Sequence, residues 1–364
     1  RGALKMSATS LHSHSNRANR MKLALLVLLS VLLISCETAR YYSQAARGQL
    51  AIVFGRENIE RLLASRDLPT ELRDKFNEVL LIRQYALEEL GLPVENNYST
   101  YVYIEREHAI WNVFAAPEFS VDPVNWCYPI AGCASYRGYF TESGAARYAK
   151  ELELDGLDVY TGGIDAYSTL GWFQDSLLST VLSRADYQLA GLIFHELAHQ
   201  IVYISGDTKF NESFATSVER EGIRRWLKHG NQIEKIGTAE ADIQRQQQFV
   251  ALVTDYRNRF DILYESDLLD QETRKKKAEL QEGLRLSYQE LKQGWNGYDG
   301  YDSWFSQSLN NAQLSTVGSY NDLVPFFNDL LAQSDNNLTL FFEEVSKIAS
   351  LEKIDREERM QDYF

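Results

Sequence analysis

The feature that most constrains this chain is a pair of histidines four residues apart inside a largely apolar run, Leu192-Ile193-Phe194-His195-Glu196-Leu197-Ala198-His199-Gln200. On a helix, residues at that spacing stand one above the other on one face, so His195 and His199 can present two imidazoles to a single ion. Glu196 is rotated by about 100° from His195. That puts its carboxylate close enough to hold an attacking water and take its proton. Zinc suits nitrogen ligands of this kind and lowers the pKa of water toward neutrality. Only six histidines occur, two of them (His12, His14) near the N-terminus, so a general abundance of histidine does not explain the pair.

A catalytic zinc takes three protein ligands and leaves a position open. Further along comes Phe210-Asn211-Glu212-Ser213-Phe214-Ala215, with twelve residues between His199 and Glu212. If the chain turns at Ser205-Gly206-Asp207, two antiparallel helices bring His199 and Glu212 to similar heights, which makes Glu212 the third candidate ligand. Glu219, two turns further on the same face, could fill that role. More naturally it accepts a hydrogen bond from a ligating imidazole or is a surface charge.

Along the chain, residues 41–92 carry helical periodicity, notably at Gln49–Val53, Ile59–Leu63 and Leu72–Leu90. Alternation over Tyr101–Ile104, Ile110–Phe114, Gly138–Phe140 and Asp158–Thr161 predicts strands, with a turn at Gly162-Gly163. A helix capped by Ser183 is expected to run to about Ile204, and a second from about Asn211 to His229. Residues 232–292 are charged and helical, with Lys275-Lys276-Lys277 expected on a solvated face. Residues 294–301 form a loop, and 310–351 are helical again. The expected class is α+β, a small mixed sheet beside the metal helix with large helical additions at both ends.

The leader has its own character. Leu23 to Ile34 is an uncharged run of twelve residues preceded by Arg17, Arg20 and Lys22. It is too short to cross a hydrocarbon core of about 30 Å and has the layout of a signal peptide. Its ending, Leu33-Ile34-Ser35-Cys36, resembles a bacterial lipobox. Lipidation of Cys36 is therefore expected, giving a membrane-anchored lipoprotein that faces the periplasm of a Gram-negative bacterium. Met21 directly precedes this segment, so residues 1–20 read as an upstream extension and 21–35 as the signal. The rest divides into an N-terminal helical segment (36–95), a catalytic core (96–230) and a C-terminal helical region (231–364).

Export leaves Cys127 and Cys133 as an even pair around Tyr128-Pro129-Ile130-Ala131-Gly132, a turn-forming stretch, and a disulfide is expected. Acidic residues number 51 against 37 basic, and five of the basic ones precede position 36 where there is no acid, so the body is more acidic than the net −14 of the whole. Phosphate neutralisation needs clustered Lys and Arg, so no nucleic-acid partner is expected.

With its His195-Glu196-Leu197-Ala198-His199 and Asn211-Glu212-Ser213-Phe214-Ala215 segments, the chain resembles the gluzincin metallopeptidases. It is closer to an aminopeptidase family of proteobacterial lipoproteins, through residues 126–133, 136–140, 166–173 and 310–312. The resemblance spans nearly the whole chain after the signal. It implies a zincin-like core, one Zn2+ per chain, a peptide substrate and release of N-terminal residues. The interval between the two motifs is shorter than in the larger gluzincins. An endopeptidase, or a zinc-stabilised lipoprotein without turnover, is the alternative.

Supporting residues are less determined. The stretch 163–171 is a candidate wall for an extended substrate, with a structural loop as the alternative. A donor for the developing oxyanion could be Tyr320, Tyr136 or Tyr139. Arg137 could bind a carboxylate or pair with a structural acid, and Asp165 or Glu219 could receive the substrate amine.

Overall fold

The computed structural model describes residues 38–128, 132–166, 174–317 and 323–361. Cys36, the leader, Tyr320 and most of the 166–173 segment lie outside them. The chain divides after Phe54 into two compact units. Of the first, the described part is a single helix, α1 (38–54). No helix among the described residues is long and apolar enough to cross a membrane.

The second unit, from Gly55 onward, is α+β and mostly helical. It begins with β1 (Glu57–Asn58), α2 (Ile59–Leu63) and α3 (Thr70–Glu88), followed by β2 (Thr100–Val102) and β3 (Ile110–Ala116). Next come β4 (Trp126–Tyr128), β5 (Gly132–Ala134), β6 (Arg137–Tyr139), α4 (Glu142–Leu154), β7 (Asp158–Ile164) and β8 (Leu177–Leu178). The paired helices α5 (Asp186–Ala198) and α6 (Thr208–His229) follow, then the long α7 (Ile233–Tyr264) and α8 (Asp270–Gln293). Short α9 (Asp302–Phe305) and α10 (Asn311–Leu314) lead to α11 (Val324–Gln333), α12 (Leu338–Ala349) and α13 (Lys353–Arg359).

Three small sheets replace the single mixed sheet expected. One runs β1-β2-β8 with β2 and β8 parallel, a second runs β6-β3-β7 antiparallel, and β4 pairs with β5 as a hairpin. In that hairpin Cys127 stands opposite Cys133 and the two are joined as a disulfide.

Gly162 and Gly163 do not turn the chain; both lie inside β7, paired with Asn112 and Trp111. A Cβ on Gly163 would stand 2.0 Å from the His108 ring, so the glycine is there for close approach rather than for bending.

Beside a small apolar cluster of Tyr187, Ile223, Leu227 and Ala239, two main apolar cores among the described residues organise the helices. The larger gathers α3, α5, α6, α11 and α12, with Phe194, Phe210, Phe214, Phe327 and Phe341 fully buried. Each such ring withdrawn from water contributes about 1.5–3 kcal/mol before ordering costs. The smaller joins α7 and α8 to Trp295, Phe305, Leu309 and Leu314.

The lysine run on α8 is only in part a solvated face. Lys275 is exposed, but Lys277 is buried, 2.6 Å from Asp158 Oδ2 and donating to the Glu118 carbonyl. Its partners come from distant elements, which a local charge pattern cannot foretell.

Candidate metal centre

The helix that carries His195 and His199 is shorter than its periodicity suggests. Ser183 does not cap it: α5 starts at Asp186, whose negative charge suits a helix N-terminus and is held by Lys75 of α3 at 2.9 Å. It ends at Ala198, with His199 as C-cap, and 202–204 are irregular. The return helix α6 begins three residues earlier than the pattern implied, because Asp207 caps it by accepting from Phe210 N at 3.1 Å. Buried Arg356 of α13 fixes that cap, 2.9 Å from Asp207. Between the helices Gly206 supplies the left-handed turn, at φ +81°.

Asn211 closes this turn. Its amide accepts from Ile204 N and donates to Ile204 O, both at 2.8 Å, and it is almost wholly buried. The sequence marked Asn211 only as a neighbour of Glu212.

Helices α5 and α6 lie very close where two glycines face the partner. A Cβ on Gly222 would meet the Phe194 ring at 2.5 Å, and one on Gly191 would meet Ile223 Cδ1 at 2.6 Å. The antiparallel register then sets Glu219 and Glu212 against His195, and Glu212 against His199.

His195 Nε2 lies 3.3 Å from Glu212 Oε2 and its Nδ1 lies 3.1 Å from Glu219 Oε2. His199 Nε2 is 3.7 Å from Glu212 Oε1, and the imidazoles are nearly perpendicular at 5.0 Å. One donor atom from each of His195, His199 and Glu212 lies within 4.8 Å of the others. Donors sharing one tetrahedral zinc stand about 3.4 Å apart, so the set fits such an ion. The buried Nδ1 of His199 has no hydrogen-bond partner among the described residues.

Burial alone would lower the pKa of His195, but its hydrogen bonds to Glu212 and Glu219 raise it to about 10. Burial, aided by the His195 charge, pushes His199 down to about 4. Burial would raise Glu212, yet the His195 hydrogen bond and both imidazoles bring it below the usual carboxylate range. His199 is thus a neutral donor and Glu212 an anionic one, and a cation binding here would displace the proton on His195 Nε2.

Glu196 is half-buried on α5, and its charge acts on the phenol of Tyr98. Tyr98 is buried with φ +56°, a conformation a bulky residue rarely adopts. It is held there by its N–H to Asp175 O at 2.7 Å. The preceding Asn97 accepts from Asp175 N at 2.8 Å and donates to Gln200 Oε1 at 3.2 Å, tying this strained turn to the end of the metal helix. Neither residue carried a signal in the sequence.

The remaining candidates are more scattered. Asp165 is taken up by His108 Nδ1 at 2.8 Å, with Arg184 at 3.9 Å. The Arg137 guanidinium lies over the Tyr148 ring at 4.5 Å. Tyr139 is buried beside Tyr148, and Tyr136 packs on Phe114. Asn310 and Asn311 tie α10 to the sheet, Asn310 donating to Val159 O and Asn311 to the carbonyls of Pro117 and Glu118. Tyr203, overlooked in the sequence, sets its ring edge-on to His199 at 6.2 Å.

A family model described as "Putative aminopeptidase" matches residues 40–360. The chain belongs to this family. The matched span holds all four residues of the His195–Glu219 cluster, the disulfide hairpin and the asparagines of α10. Searches of curated proteins and of solved structures found no match.

Proposed function

We propose that the protein is a single-zinc peptidase, an aminopeptidase with a gluzincin-like arrangement on a zincin-like core within 96–230. We further propose that it is tethered by a lipid on Cys36 to a membrane facing the periplasm of a Gram-negative bacterium. The observation that carries the catalytic part is the convergence of His195, His199 and Glu212, with Glu219 engaging the far nitrogen of His195. Membership of the aminopeptidase family supports a peptide as substrate.

His195, His199 and Glu212 would hold the ion. Zinc bound there supplies a Lewis acid that polarises the scissile carbonyl and makes water a stronger nucleophile. Glu219 fixes the ring of His195 and makes it a better donor. Glu196 takes the proton of the attacking water and passes it to the departing amine. The disulfide hairpin stiffens the region after β3 without entering the chemistry.

The test is metal analysis followed by digestion of a peptide library with and without N-acetylation, comparing wild type with Glu196→Gln. Zinc in both proteins, with stepwise cleavage of free-amine peptides by wild type alone, is the expected result. Equal cleavage of blocked peptides would make it an endopeptidase. Zinc in both proteins with no difference in any activity would mean a structural zinc protein.

A further inference from the structure

Tyr203 stands four residues beyond His199, in the irregular segment between α5 and α6, with its ring edge-on to the His199 imidazole at 6.2 Å. The segment is pinned on both sides. Val202 is buried in the larger core, and Ile204 is gripped through its N–H and its carbonyl by Asn211, the neighbour of Glu212. The backbone of the segment is therefore held on both sides, and the ring's own contact is with the His199 imidazole. Tyr203 remains 48 % exposed, and among the described residues its hydroxyl has no hydrogen-bond partner.

A phenol whose ring lies against the candidate ligand His199 and whose O–H is open to solvent can donate to a molecule that enters beside the cluster. The other tyrosines weighed for such a role are less suited: Tyr139 is buried against Tyr148, and Tyr136 packs on Phe114. We propose that Tyr203 is a catalytic residue, its hydroxyl donating a hydrogen bond to the scissile carbonyl oxygen of the peptide as negative charge develops there. This rests on the peptidase function proposed above. A donor aimed at charge that exists only in the transition state raises kcat while leaving ground-state binding alone.

Tyr203→Phe removes the O–H and keeps the ring on His199. The zinc-loaded variant is expected to lose about 10²–10³ in kcat with KM little changed, the range for a single oxyanion donor. Its zinc content should equal that of wild type. Its affinity for a phosphinic peptide, whose tetrahedral phosphorus carries oxygens where the oxyanion would form, should fall with kcat. A variant that keeps wild-type kcat and phosphinate affinity, while wild type is active and Glu196→Gln is not, overturns the role of Tyr203 and leaves the peptidase intact. Loss of zinc along with activity also overturns it, making Tyr203 a support for His199. If wild type itself cleaves no peptide, both proposals fall together.

Discussion

Glu219 grips the nitrogen of His195 that faces away from Glu212, at 3.1 Å, and so fixes which nitrogen points into the cluster. A carboxylate only accepts, so Nδ1 keeps its proton and Nε2 is left as the donor for an ion. Glu219→Gln keeps the shape but gives up the charge. It is expected to weaken zinc binding by about 10–100-fold, as read by competition with a chromophoric chelator, while Glu212→Gln should weaken it further. Unchanged affinity in Glu219→Gln would reduce Glu219 to a surface charge.

The cluster depends on how closely α5 and α6 approach, and the two glycines at the crossing are not equivalent. At Gly222 an added methyl runs into the stiff, fully buried Phe194 ring, whereas at Gly191 its nearest neighbour is the end of the Ile223 side chain. Gly222→Ala should therefore cost about 1–3 kcal/mol from overpacking, and Gly191→Ala less. Denaturant unfolding of both variants measures this, and equal losses would place the constraint in the backbone instead.

What the sequence revealed of this site follows the range of each interaction. His195 and His199 are four residues apart on one helix, and Glu212 follows from counting out and back across a glycine turn. These are local facts. The Asn211 brace, the left-handed Tyr98 and the pairing of Gly222 with Phe194 depend on backbones meeting across the fold, and residue type alone does not encode them. Gly162-Gly163 misled for the same reason. Paired glycines signal a turn unless another side chain, here His108 against Gly163, needs the space.

Asn311, within one of the segments through which the sequence resembles its family, makes contacts that are architectural. Its amide donates to Pro117 O at 3.0 Å and Glu118 O at 2.9 Å and accepts from the Tyr264 hydroxyl at 2.8 Å, fully buried between sheet and C-terminal helices. Asn311→Ala is expected to cost about 2–4 kcal/mol, since three hydrogen bonds made by a fully buried side chain are lost. Zinc content per folded molecule should not change. A loss of zinc at full stability would connect α10 to the metal centre.

Stability should also depend on pH through Glu78 of α3. Burial first, then the charge of Asp186, push its carboxyl up from 4.5 to about 7, with Lys75 opposing. A raised folded pKa means that the folded state binds the proton more tightly than the unfolded chain. The stabilisation is complete below the unfolded value and is lost as pH rises from about 4.5 to about 7, beyond which it stays lost. Asp186, held below its ordinary value chiefly by its hydrogen bond to Lys75, acts in the opposite sense and only on the acid side. Glu78→Gln cannot ionise, so it should abolish the decline and exceed wild type by about 1–3 kcal/mol at pH 8. Denaturant unfolding at pH 5 and pH 8 reads this directly. If wild type and variant change in parallel between the two, the Glu78 carboxyl is ionised throughout and the Lys75 contact at 3.5 Å outweighs its burial.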